Sequence, residues 1–335
     1  ELESIDGSFT LNTLTSLTSA SFPKLESVDT LEWKVLPILS SVGLNKGIKK
    51  INSVILSDTS LTGFGGFNVD TLKTLRIDNN RFLERIDSSV KEITEELIIA
   101  ANARNLEVAF PELGWVKVAM VKDTKSIDLN DLQVVQSSAE FIENKFDSLS
   151  LPKLKSVGST LSLINNKKLE NADFSSLVEV GGGLMVIKND KLKQINFFPA
   201  LKSVGGAIEF EGDIDDSSFK RLKIVKGSAI MKSSSKFFDC QKWIDKEVSD
   251  VVRGGKIECG SGDSEFTEVI HIDEDGERTG TSTGRNSAKI SDKGRGMHNV
   301  QESTSIATHS FDNTKGLLSI FIGCLAIMAT LETLS

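Results

Sequence analysis

The sequence predicts a mostly β protein, a right-handed parallel β-solenoid built from leucine-rich coils of about 19–24 residues. Three observations carry that prediction. A phrase recurs along the chain, as "LPKLKSVGSTLSLINN" from Leu151, "FSSLVEVGGGLMVIKND" from Phe174 and "FPALKSVGGAIEFEGD" from Phe198, with shorter echoes "FPKLESV" at Phe22 and "FPELGWV" at Phe110. Its leucines fall in register at Leu132, Leu154, Leu177, Leu201 and Leu222, spaced 22, 23, 24 and 21 residues apart. Within each unit the apolar residues alternate, as at Leu161 and Leu163 or Ile208 and Phe210, which is the period of a strand and not of a helix.

Each element of the coil follows from its residues. A single coil cannot bury its apolar side alone, so coils stack and share one core. The strand ends at a polar corner of the form Asn-x-x-Leu, seen at Asn80, Asn166 and Asn189. Asn tolerates the left-handed conformation and hydrogen-bonds nearby backbone, so equivalent asparagines are expected to stack as a ladder that satisfies turn amides, with Gly212 taking that slot in the following coil. "SVGG" reads as a second corner, in which Val204 points inward, the glycines let the chain turn, and Pro199 presets a bend ahead of Leu201. Helix signals are sparse, and the best of them is "CQKWIDKEVSDVV" after residue 240.

Composition shifts divide the 335 residues into a repeat body (1–236), a closing cap (237–260), a Ser/Thr/Gly-rich and charged tether (261–315) expected to be disordered, and a hydrophobic end (316–335). A net charge of −8 argues against a nucleic-acid partner. There is no Tyr, and most of the 18 Phe sit at inward positions, where they serve the core. The apolar run from Gly316 to Leu331 is shorter than the roughly 20 residues a membrane-spanning helix wants. A polar tether followed by such a tail is the signal for a glycosylphosphatidylinositol (GPI) anchor, with Ser305 or Ser303 as the attachment residue; a weak tail anchor or a crude spanning helix is the other reading. Export implies an oxidising compartment. Cys324 lies in the part to be removed, leaving Cys240 and Cys259 either as a disulfide that closes a loop of about 19 residues, worth about 3 kcal/mol, or as two buried thiols. Glu1 begins inside an apparent coil with neither Met nor signal peptide, as in a fragment or processed form, so the missing leader does not argue for the cytosol.

In order along the chain, "LEWKVLP" (31–37), "ILSDTSLTGFGGFNV" (55–69), "RIDNNRFLERI" (76–86), "LEVAFPELGW" (106–115), the "SVGG" coils and "FDC" (238–240) resemble the fungal GPI-anchored cell-wall organisation family built on receptor L-domain leucine-rich coils. The likeness covers about residues 1–260. It implies an exported lipoprotein and glycoprotein, held at the outer leaflet of the plasma membrane or linked into the wall, that supports wall integrity and has wall polysaccharide or wall proteins as partners, with no catalytic residues and no cofactor to carry over. Two features depart from the family. Asn52, Asn286 and Asn313 are followed directly by Ser or Thr and no Asn-x-Ser/Thr sequon exists, so N-glycosylation is not expected, while "TGTSTG" and "ESTSIATHS" leave room for O-linked sugars. The tether is also more charged and less dominated by Ser and Thr than such a stalk.

Enzymatic readings have one foothold. Parallel β-helices also host polysaccharide lyases and hydrolases, and "EGDIDD" gathers Glu211, Asp213, Asp215 and Asp216, which at 5 or 7–9 Å spacing would suit glycoside hydrolysis. A solvated corner explains the same residues. His271, His298 and His309 all lie in the tether, so a His-based triad or metal centre in the body is excluded by count. "GFGGF" and "GGG" precede no helix and read as coil corners. The sequence thus predicts a non-enzymatic scaffold or binding surface; a carbohydrate-active β-helix enzyme and a receptor-like ligand-binding ectodomain are the alternatives. The outward face of the sheet discriminates: convergent carboxylates favour the enzyme, a flat array of Ser, Thr, Asn and Lys the scaffold.

Overall fold

A computed structural model describes residues 2–285 apart from 66, 68 and 263–265; Ser303, Ser305, His298, His309 and the segment 316–335 lie outside the described residues. The chain winds through about ten turns of a β-solenoid. In the first half each coil contributes one long strand to the main sheet: Ser4–Asn12, Ser27–Leu36, Ser53–Thr59, Thr71–Asp78, Glu92–Ala100 and Trp115–Lys122, each parallel to the next. Alternation alone would not bury both Leu72 and Leu75. A register shift between Leu72 and Thr74 reverses the phase, so Leu72, Leu75 and Ile77 all enter the core.

From residue 134 onward the same irregularity widens into a corner, and each coil carries two short strands, such as Ser156–Val157 and Leu161–Ile164, then Glu179–Val180 and Leu184–Ile187. The "SVGG" phrase sits at this corner, with Val157, Val180, Val204 and Val225 fully buried. The glycines are needed for a reason other than the expected freedom to turn. A Cβ on Gly181 would stand 2.1 Å from the Gly158 carbonyl oxygen one coil below, and a Cβ on Gly205 would stand 2.1 Å from that of Gly181. Here the backbones of successive coils approach too closely for any side chain.

The register leucines are buried throughout, Leu154, Leu177 and Leu201 completely; each such side chain contributes about 1.5–3 kcal/mol of burial. The asparagine corner forms as two ladders. In one, Asn166 Oδ1 accepts from the Asn144 backbone N–H at 2.9 Å and from Asn144 Nδ2 at 3.1 Å, while Asn189 Oδ1 does the same for Asn166. Each Nδ2 also donates to a main-chain carbonyl farther down the stack, as Asn166 does to Phe141. Thr124 starts this ladder by donating N–H and Oγ1–H to Asn144 Oδ1, and Thr59 starts a second one the same way on Asn80, which leads to Asn102. One expectation is corrected. The left-handed residue is the one before the ladder asparagine, with φ of 55° at Asn79, 55° at Asn165 and 54° at Lys188, because the ladder side chain must point inward while its predecessor reverses the chain. Gly212 pairs beyond the Ile187–Glu211 register, opposite Lys188, so it takes the place of the reversing residue and not of the ladder asparagine.

The C-terminal coil is closed by a cap. Asp239 caps a helix over Cys240–Trp243, accepting from the Lys242 N–H at 2.9 Å, and the helix continues as a wider turn over Ile244–Val248. Trp243, Ile244 and Val248 seal the last core layer, and a disulfide joins Cys240 to Cys259 on the final parallel strand, Lys256–Gly260. The expected tether does not start at 261. Residues 266–285 form an antiparallel hairpin, Phe266–Ile272 with Arg278–Arg285, which extends the main sheet. Ile270 and Ile272 alternate onto the core, and Gly276 at φ 89° completes the turn. His271 therefore belongs to an ordered strand, on its exposed side, 3.5 Å from Ser282 Oγ.

Candidate functional site

Three surfaces were singled out by the residues they carry: the acidic corner, the outward face of the main sheet and a cleft on the opposite side. The four carboxylates of the acidic corner do not converge on one another. Glu211 lies 3.5 Å from Lys188, Asp213 pairs with Lys193, Asp215 accepts from Ser235 Oγ at 2.6 Å, and Asp216 pairs with Lys242 at 2.9 Å. Each reaches to a neighbouring coil or the cap. Similar coil-to-coil pairs recur at Lys91–Asp70, Lys125–Glu107 and Lys153–Asp131. Exposed pairs of this kind fix register more than they add stability.

The outward face is neither of the two arrays expected. One row reads Met120, Glu140, Ser162, Met185, Glu209 and Ile230 in direct register, and the row beside it carries Ile142, Ile164 and Ile187. Glu140 and Glu209 are three rungs apart, about 14 Å at the spacing of a sheet, beyond the separations that glycoside hydrolysis uses. Glu209 and Glu211 share a strand and stand about 7 Å apart, but Glu211 is held by Lys188. Among the described residues Glu140 has no cationic or hydrogen-bonding partner, and burial holds its carboxyl above the usual glutamate range. Among the described residues no group of three or more His, Cys, Asp or Glu side chains is placed to hold a metal ion.

On the opposite side, short strands pair only in runs. Residues 19–21 with 41–43 form one, 63–64, 85–87, 107–109 and 126–128 a second, 148–150 with 171–173 a third, and 194–195 with 216–217 a fourth. Between 171–173 and 194–195 the ladder is broken and a cleft of about 480 Å³ opens. The two ends of the break are pinned, one by the Phe174 N–H donating to the Phe197 carbonyl at 3.2 Å, the other by Lys191 against Glu170 at 2.6 Å. Its floor is Ala172, Leu192 and Phe197, and the amides of Asn171, Gln194 and Asn196 line its walls. Sequence reasoning missed this cleft. A weak signal was present in "NFFPAL": two successive large rings, Phe197 and Phe198, both buried, depart from the alternation of apolar and polar residues seen in the other coils.

The molecule is thus a disulfide-capped parallel β-solenoid whose acidic corner is tied to neighbouring coils and the cap. Among known proteins, the chain is 43% identical to sporulation-specific protein 2 of Saccharomyces cerevisiae over 88% of its length and 58% of that protein. It is 36% identical to the cell surface GPI-anchored protein ECM33 of Candida albicans over 77% of its length and 63% of that protein, and 31% identical to the cell wall mannoprotein PST1 of S. cerevisiae over 78% and 64%. The chain is homologous over most of its length to these fungal cell-surface and wall proteins. It spans about three-fifths of the length of the curated relatives it matches. No family model matches the chain. No solved structure matches it either.

Proposed function

We propose that this chain is the exported body of a non-enzymatic fungal surface protein that maintains cell-wall organisation by presenting its stacked coils as a scaffold or binding surface to wall polysaccharide or wall proteins. It is held at the outer leaflet by a lipid on Ser305 or Ser303, and the hydrophobic end 316–335 is the signal that the anchor replaces. The observation that carries the reading is the fate of the acidic corner: Glu211, Asp213, Asp215 and Asp216 each have a partner on a neighbouring coil or the cap. The names of two of the relatives, a cell surface GPI-anchored protein and a cell wall mannoprotein, support the same reading.

Rescue of a fungal strain that lacks its own copy, scored by sensitivity to wall-binding dyes, tests it. Replacing the four carboxylates together by Asn or Gln is expected to leave rescue largely intact, with the melting temperature of the purified variant recorded to separate folding from function. Deleting residues 316–335 is expected to abolish rescue and release the protein into the medium. A single Asp→Asn variant that folds, reaches the surface and fails to rescue would overturn the proposal in favour of catalysis.

A further inference from the structure

The cleft between residues 171–173 and 194–195 has the composition of a ligand site, and its chemistry narrows the ligand. Its volume, about 480 Å³, falls in the range of small-molecule sites. Charge is balanced and largely spoken for. Lys191 is paired with Glu170 and Lys193 with Asp213, so each ammonium is offset by a carboxylate, and a further carboxylate, Asp190, works against a phosphate or sulfate. A lone carboxylate at an open rim is equally poor for a metal cation.

What remains are side-chain amides. Asn196 Nδ2 donates to Gln194 Oε1 at 3.1 Å, which fixes the two amides side by side and leaves Gln194 Nε2 as donor and Asn196 Oδ1 as acceptor, while Asn171 offers both, the pairing that a sugar hydroxyl, itself donor and acceptor, requires. Beneath them the floor of Ala172, Leu192 and Phe197 is apolar and suits the C–H face of a pyranose ring. An extended peptide fits less well. Strand addition needs a continuous run of unpaired edge, and this edge is closed at one end by the Phe174–Phe197 hydrogen bond and at the other by the Lys191–Glu170 pair, leaving about three residues on each side.

We infer that this cleft binds a neutral saccharide, one or two pyranose units of a longer glycan chain. The inference rests on the reading of the protein as a wall-surface scaffold and supplies that scaffold with a point of contact. It adds no chemistry: the glycan is held by the amides and is not cleaved.

The test uses the full exported protein and three neutral tetrasaccharides, of β-1,3-linked glucose, β-1,4-linked N-acetylglucosamine and α-linked mannose, titrated by calorimetry beside inorganic phosphate and an extended decapeptide. One tetrasaccharide is expected to bind saturably. The double variant Asn171→Ala, Gln194→Ala should weaken that binding tenfold or more with an unchanged melting temperature, whereas Asn130→Ala, an exposed amide on another coil, should leave it as it was. Failure of all three sugars, sugar binding that survives the double variant, or binding of phosphate or peptide in place of sugar would each overturn the inference. None of these outcomes bears on the four-carboxylate rescue experiment, so the cleft and the scaffold reading fail separately.

Discussion

Asn166 shows how much one side chain does in this fold. Its Oδ1 accepts two bonds from Asn144, and its Nδ2 donates both to the Phe141 carbonyl and to Asn189. Asn166→Ala leaves the Asn144 N–H and side-chain amide buried without their acceptor, and we expect a loss of about 2–4 kcal/mol in urea unfolding; a loss below about 0.5 kcal/mol, the level of an ordinary surface change, would mean that the ladder is ornamental. Glu140 gives the opposite sign. Its carboxyl is held above the ordinary range by desolvation, so the folded state binds the proton more tightly than the unfolded chain does. Stability from this group is therefore fully present in acid and declines as pH rises through the carboxylate range. Glu140→Gln should melt higher than the parent at pH 7, and the difference should close as pH falls below the ordinary glutamate value. A gap that persists undiminished in acid would rule out ionisation as its cause.

At the scale of the coil, the glycine corner separates two kinds of glycine within one "GGG". Gly181 has no room for a Cβ, which would meet a backbone carbonyl at 2.1 Å, whereas the nearest atom to a Cβ on Gly183 is 3.6 Å away. Gly181→Ala should cost about 1–3 kcal/mol by forcing coils apart. Gly183→Ala should be within about 0.5 kcal/mol of the parent, or slightly stabilising through the unfolded chain. Equal losses by thermal unfolding would show that flexibility at the corner, and not coil spacing, is what the glycines supply. Coils were legible because leucine spacing of 21–24 residues and period-2 alternation recur from coil to coil. Asn102 and Asn144 were not, although they are rungs of the same ladders, because the next core residue follows at four and two positions, Leu106 and Phe146, in place of three. The loop absorbs that variation while the buried amide stays put. The hairpin 266–285 was hidden for a different reason: its second strand, RTGTSTGR, has no large apolar residue and acquires its structure by pairing with the first.

Over the whole molecule, what the sequence could and could not disclose divides along the same line. Properties repeated in every coil, such as the inward leucines, the corner and the elongated shared core, are written many times and are hard to miss. Properties that arise where the repeat lapses are written only locally. The break in the ladder at 171–173 and 194–195, one of several along that side, and the setting of Glu140 belong to that second class, and they are where this body differs from a uniform stack. A scaffold made of near-identical rungs gains its individuality at such lapses.

The closing disulfide also decides how the body would respond to being pulled. Load entering from the hairpin side reaches Cys259 on the last parallel strand, and from there the shortest covalent route runs through the sulfur bridge to Cys240, bypassing the intervening residues. The segment that holds Trp243, Ile244 and Val248 is then slack while the strand Ala229–Ser233 and its neighbours bear tension. Roughly 60 Å of contour length stays hidden in the loop as long as the bridge is oxidised. The cap that shields the last rung from water is thus also a mechanical shunt, which keeps the end of the core closed under a force that would otherwise unwind it first.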